Sequence, residues 1–180
     1  MADRFHYFAL GSNILSKHYV PRMIDHWASV FGSVYLGPLF QTEPQQVDLQ
    51  AGWSRLEDIE PMFVNACFAV AAPEAWIDEN WCRSFAKILE AALDRPLDLS
   101  NRRQVSRTID IDYLVIDQKR LASEEQTDDY YSYLGLNQLL LHTQPELSID
   151  GIIQHIGNYK RAVHIVKSDF KQTNRIQFLW

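Results

Sequence analysis

The stretch RTIDIDYLVID, Arg107 to Asp117, limits what this chain can fold into more than any other. Its β-branched and aromatic residues predict a strand over TIDIDYLVID. Yet two carboxylates, Asp110 and Asp112, sit inside it. Strand side chains alternate between faces, so the two acids share one face. Ile109, Ile111 and Tyr113 take the other, directed into a core beneath helices. Two like charges about 7 Å apart repel, and each loses hydration if it is covered. A divalent cation between them removes both penalties. Mg²⁺ suits the position, because it takes one or two carboxylates and fills its remaining sites with phosphate and water. The plainer alternative is a solvated sheet face that needs no ligand. Arg102, Arg103 and Arg107 lie just upstream. They would set phosphate ligands beside metal ligands, as phosphoryl transfer requires, or would neutralise the acids in surface ion pairs.

The rest of the chain supplies partners for this strand. FHYFAL (5–10) reads as a strand that ends in a turn at Gly11. Residues 19–31 carry apolar residues at helical spacing, with Pro21 near the start and Gly32 as the stop. Residues 33–42 read as one extended strand with a bulge or edge at Gly37-Pro38. A long polar loop follows over 43–61, then a strand over 62–72 and a helix over about 75–94. Residues 94–106 form a second, basic loop, and 118–131 an acidic one. Helices are expected over 134–143 and 147–156, and short strands in AVHIV and IQFLW. The order predicts an α+β, ferredoxin-like βαββαβ sandwich with extra C-terminal helices. Its antiparallel sheet would carry helices on one face. The other face would be covered by loops or left open for binding.

A length of 180 residues suits one domain, 1–180. The net charge of −6 argues against a broad nucleic-acid or anionic-membrane surface. No apolar run reaches the roughly 18 residues of a membrane helix, and the start lacks a signal-peptide core. Cys67 and Cys82 read as reduced thiols of a cytoplasmic protein. The six histidines form no HxxxH or HExxH pair, which speaks against zinc.

Six segments, in order over about 140 residues, resemble the 6-hydroxymethyl-7,8-dihydropterin pyrophosphokinase family of folate biosynthesis. They are ALGSN (9–13), QTEP (41–44), FVNA (63–66), ILEAALDR (88–95), RTIDIDYL (107–114) and QPEL (144–147). RTIDIDYL is the most specific. The resemblance implies a ferredoxin-like fold and transfer of pyrophosphate from ATP to the pterin hydroxymethyl group, with release of AMP. It implies that Asp110 and Asp112 hold two Mg²⁺ on the triphosphate. Arg103 and Arg107 would contact ATP phosphates, and Arg107 would act with the two acids in catalysis. Glu90 would contact the nucleotide side. Asn65 would hydrogen-bond the pterin, with the backbone around Thr42 and Pro44 beside it. An asparagine amide both donates and accepts, which matches a pterin edge. The implied partners are small molecules, pterin and ATP, with neither nucleic acid nor membrane. A monomer is expected, with a dimer as the alternative.

The chain also departs from the family pattern. Gln104, Val105 and Ser106 stand where the family has a Trp and a Pro. Lys87 stands where it has a Gln. Residues 124–137 lack its late His-Pro and Arg, and Glu124, Glu125, Asp128 and Asp129 bring negative charge there. Lys119 and Arg120 are the nearest substitutes. Two rivals follow. One is a catalytically degenerate homologue that binds a pterin or nucleotide. The other is an RNA-binding or regulatory module, disfavoured because the acids repel phosphate unless a metal intervenes.

Overall fold

The computed structural model describes residues 3–42, 58–73, 77–95, 107–116, 122, 130–144, 164–165 and 176–178. The elements are β1 (Asp3–Ile14), α1 (Ser16–Phe31), β2 (Val34–Leu36), β3 (Phe40–Thr42), β4 (Ile59–Pro73), α2 (Glu79–Ala92), β5 (Asp110–Leu114), α3 (Tyr130–Thr143), β6 (His164–Ile165) and β7 (Ile176–Phe178). The architecture is α+β. Strands run β5-β1-β4-β2-β7, with β3 pairing β4 and β6. Every pairing is antiparallel except β2 with β7. No helix among the described residues is long and apolar enough to cross a membrane.

The alternation of β1 decides what lies on each face. Phe8 and Leu10 pair with Phe68 and Ala66 on β4, and with Tyr113 and Ile111 on β5. With Ile109 they enter the larger core under α1 and α2, against Met23, Ile24, Trp27, Ala86 and Leu89. Phe8 stacks on Phe68 with centroids 4.8 Å apart and lies 4.5 Å from Trp27. Full burial of an aromatic or aliphatic side chain contributes about 1.5–3 kcal/mol, so this face dominates stability. The expected orientation of Ile109, Ile111 and Tyr113 towards a core holds.

The opposite face carries Tyr7, Ala9 and Gly11 of β1, a sequence of falling size. Helix α3 packs over the large end, where Tyr7, Cys67, Ala69, Leu136, Leu139 and Leu140 form a second core. The approach is close. A Cβ on Gly135 would lie 3.2 Å from Cys67 Cβ, and one on Gly37 would lie 3.1 Å from the Cys67 carbonyl oxygen. The Tyr7 hydroxyl bonds Thr143 Oγ1. One helix therefore covers part of the face that was expected to be open or loop-covered.

Several boundaries differ from expectation. β1 does not turn at Gly11 but continues to Ile14, because Gly11 is paired on both sides, with Asn65 and Asp110. Residues 33–42 split into β2 and β3. Gly37 leaves the ladder there, its N–H donating to the Cys67 carbonyl. β4 begins at Ile59, so the predicted loop gives its last residues to a strand. Helix α1 does end at Gly32, with φ 79° and its N–H on the Ala28 carbonyl. The helix expected over 147–156 lies outside the described residues.

Candidate functional site

Four adjacent strands bring one row of residues together. Gly11 is paired with Asp110 on one side and with Asn65 on the other, and Asn65 is paired with Phe40. Paired residues share a face, so Asp110 and Asn65 stand on either side of a glycine. The missing side chain matters, since a Cβ there would lie 3.0 Å from Asn65 Oδ1. The result is a trough with a carboxylate on one bank and an amide on the other. Asn65 is only 5 % exposed, and its Nδ2 donates to Thr42 Oγ1 at 2.7 Å. That bond orients the amide.

The end of β1 also holds the lead-in to β5. The backbone N–H groups of Asn13 and Ile14 donate to the Arg107 carbonyl at 3.0 and 3.2 Å. Ser12 Oγ donates to the Thr108 carbonyl at 2.5 Å, and Asn13 Oδ1 accepts the Arg107 N–H. Ser12 and Asn13 are both fully buried. Thus the SN of ALGSN and the RT of RTIDID form one joint. Sequence reasoning quoted both segments and assigned no role to Ser12 or Asn13. A buried polar pair at the end of an apolar strand was the available signal.

The acids differ sharply in environment. Asp110 Oδ1 accepts from Arg95 Nη1 and Oδ2 from Arg107 Nη1. Burial pushes the Asp110 carboxyl up, but the charges of Arg107 and Arg95 outweigh it and hold the group below its usual value. Asp112 has a side chain 68 % exposed, and its ion-pair partner among the described residues is Lys87 Nζ, 3.9 Å from Oδ1. Desolvation of its inner side and then the charge of Asp110 raise its carboxyl above the usual range. The expected repulsion between the acids is therefore real at Asp112 and answered by arginines at Asp110.

Arg95 reaches Asp110 through the end of α2. Asp94 is left-handed, with φ 61°, and its Oδ2 accepts the Tyr19 hydroxyl at 3.1 Å. The Arg95 N–H then returns to the Glu90 carbonyl at 3.1 Å. This sharp stop is the kind a glycine usually makes. Glu90 lies beneath it, 3 % exposed, and is not a solvent-facing helix residue. Its Oε1 accepts from Ile111 N and Lys87 Nζ, each at 2.7 Å, and its Oε2 from Arg95 Nη1. Burial raises its carboxyl, and the Lys87 bond and Arg95 charge oppose that rise. Lys87 also donates to the Ile111 carbonyl at 3.2 Å. Lys87 and Glu90 thus occupy the outward C=O and N–H of Ile111 on β5.

Of the residues expected in the site, Arg107, Asp110, Asp112 and Glu90 join one cluster, and Asn65 with Thr42 forms the facing bank. Pro44, Arg103, Lys119, Arg120 and the acids of 124–129 lie outside the described residues. Arg95 and Lys87 were missed as site residues, because they reach the cluster from α2 and the turn just past its end rather than from the signature strand. Among the described residues, no group of three His, Cys, Asp or Glu side chains is placed to hold a metal. The donor chemistry still suits Mg²⁺ when phosphate completes its shell. Asp112 is exposed, and each Asp110 oxygen has a second lone pair beyond its arginine bond. A scan of protein-family models finds no match to the chain, and a search of curated proteins finds none either.

Proposed function

We propose that the chain is a divergent pyrophosphokinase that transfers the β,γ-pyrophosphoryl group of ATP to 6-hydroxymethyl-7,8-dihydropterin. The strand order and the placement of α1 and α2 on one face support a ferredoxin-like βαββαβ core. One observation carries the reading: Asp110 and Asn65 flank Gly11 on the same sheet face. A group that recognises a planar heterocycle and a group that handles phosphate then stand one strand apart from a common glycine. The reaction needs both within a single substrate pair.

On this reading Asn65, oriented by Thr42, hydrogen-bonds the pterin edge. The pterin hydroxyl oxygen attacks the β-phosphorus in line, the bond from that phosphorus to the α,β-bridging oxygen breaks, and AMP leaves. Arg107 stabilises charge on the phosphates, and Arg95 and Glu90 hold the acid strand in place for that contact. Pro44 and Arg103 belong to the same proposal, as pterin and ATP contacts respectively. Asp112 and Asp110 would hold Mg²⁺, which when bound neutralises phosphate oxygens and orients the triphosphate. Folate biosynthesis in the cytoplasm is the corresponding setting.

A second reading is supported by one specific feature. Arg95 and Arg107 both donate to Asp110, so two cations suited to phosphate are engaged by a carboxylate. A protein that binds pterin or nucleotide without turnover would tolerate that. AMP release from ATP, Mg²⁺ and 6-hydroxymethyl-7,8-dihydropterin separates the two. Release that falls at least about a hundredfold in Asp112→Ala supports the kinase. Binding of pterin by calorimetry without any AMP release supports the second reading. Neither binding nor release rejects both.

A further inference from the structure

We infer that Lys87 is a built-in counter-cation of the acid pair and limits the site to one divalent ion. The inference rests on the pyrophosphokinase reading of this cluster. Lys87 starts on α2 and reaches round the edge of β5. An ammonium has three N–H groups. Two are spent at hydrogen-bond distance, on Glu90 Oε1 at 2.7 Å and the Ile111 carbonyl at 3.2 Å. These anchors hold the nitrogen 3.9 Å from Asp112 Oδ1, an ion-pair distance too long for a hydrogen bond. The charge therefore sits beside Asp112 because Glu90 and the β5 backbone fix it there, not because Asp112 draws it in.

The charges within the cluster explain the consequence. Lys87, Arg95 and Arg107 face Glu90, Asp110 and Asp112, three cations against three carboxylates among the described residues. The cluster is neutral as built. Two divalent ions sharing this acid pair would need Asp110 and Asp112 as common ligands. Both Asp110 oxygens already accept an arginine, and Asp112 already has an ammonium at its side. A first ion, brought in on ATP phosphates, can use the exposed side of Asp112 and displaces no protein cation. A second would meet Lys87 within a few ångströms, at a separation where cation repulsion is strong and weakly screened. Lys87 is only half exposed and doubly bonded, so moving it aside would cost Glu90 Oε1 one of its two bonds and the Ile111 carbonyl its bond to the ammonium.

The test counts ions rather than turnover. The full chain is saturated with an ATP analogue carrying a methylene between the α- and β-phosphorus, and titrated with Mn²⁺. Free Mn²⁺ is read by electron paramagnetic resonance. Wild type should hold one Mn²⁺ per protein–analogue complex. Lys87→Gln keeps a hydrogen-bond donor without the charge; it should hold two, with the second ion at least about tenfold tighter than any second binding in wild type. Lys87→Arg, which keeps the charge, should return to one. Thermal melts confirm that each variant is folded. Two ions in wild type, or one ion in folded Lys87→Gln, overturns the inference. AMP release by a two-ion wild type overturns the inference alone and leaves the kinase reading standing. No Mn²⁺ held in a protein–analogue complex, together with no AMP release, removes that reading and the inference with it.

Discussion

Asn13 Oδ1 accepts the backbone N–H of Arg107 at 2.8 Å, across 94 positions of sequence. The Arg107 carbonyl accepts the Asn13 N–H in return. The residue that opens the acid strand is thereby held by the residue that closes β1. Asn13→Ala should leave a buried N–H without its acceptor and lower stability by about 1–3 kcal/mol. Urea unfolding measures this. Because Arg107 would lose one of the backbone bonds that hold it to the end of β1, AMP release should fall further than the loss of folded protein accounts for. Unchanged stability in the folded variant would mean that the joint is incidental.

The two acids should respond oppositely to removal. Asp110→Ala removes the carboxylate that Arg95 and Arg107 share and should cost roughly 2–4 kcal/mol, since breaking a mostly buried pair leaves charge poorly compensated. This differs from the expectation that either acid, without metal, is a liability to the fold. That expectation applies to Asp112 alone. Asp112→Asn removes an exposed charge next to Asp110 and should leave the melting temperature equal or slightly higher. Melting curves of both variants, with a divalent chelator present, decide the matter.

Acid titration gives a third check. The folded Asp110 carboxyl lies below its unfolded value of about 3.9. Below that value the unfolded chain binds the extra proton, so stability rises with pH there. The contribution of Asp110 is complete above about pH 4 and disappears as pH falls through the depressed folded value. The stability gap between wild type and Asp110→Asn should therefore be widest at neutral pH and narrow below about pH 4. Glu90 and Asp112 act with the opposite sign, because their folded carboxyls are raised. Their stabilising share is present below the unfolded values and is lost as pH rises through the raised ones. A gap that widened on acidification would contradict the ion pairing of Asp110.

Gly11→Ala tests the trough. Its Cβ would lie 3.0 Å from Asn65 Oδ1, so the amide must move and its bond to Thr42 must weaken. Overpacking of this kind costs about 1–3 kcal/mol. Pterin affinity should drop about tenfold or more, while MgATP affinity changes little. Placing Asn65→Ala beside Gly11→Ala should recover most of the lost stability and none of the pterin binding. Equal losses for both ligands would make Asn65 a fold residue.

Much of the sheet was legible because its signals are local. Alternation in TIDIDYL placed Ile109, Ile111 and Tyr113 on one face and both acids on the other. Gly32 ended α1 through its backbone alone. What sequence hid is what tertiary pairing decides. Gly11 looked like a turn because nothing local says that two strands pass on either side of it. The bonds from Glu90 to β5 were hidden because helix spacing cannot register an edge strand that begins twenty residues later. Arg95 depends on a left-handed Asp94, a conformation that a non-glycine residue rarely signals.

The side chains of Lys87 and Glu90 have one more effect, unrelated to ligands. β5 is the terminal strand on its side of the described sheet, and terminal strands with open N–H and C=O groups recruit strands from other chains. At Ile111, the middle of β5, both groups are already taken by the chain's own helix. An incoming strand would have to displace a buried carboxylate and its ammonium partner before pairing with Ile111. Cross-chain β-pairing, and the aggregation that follows from it, is therefore blocked at this position by two side chains rather than by a further strand.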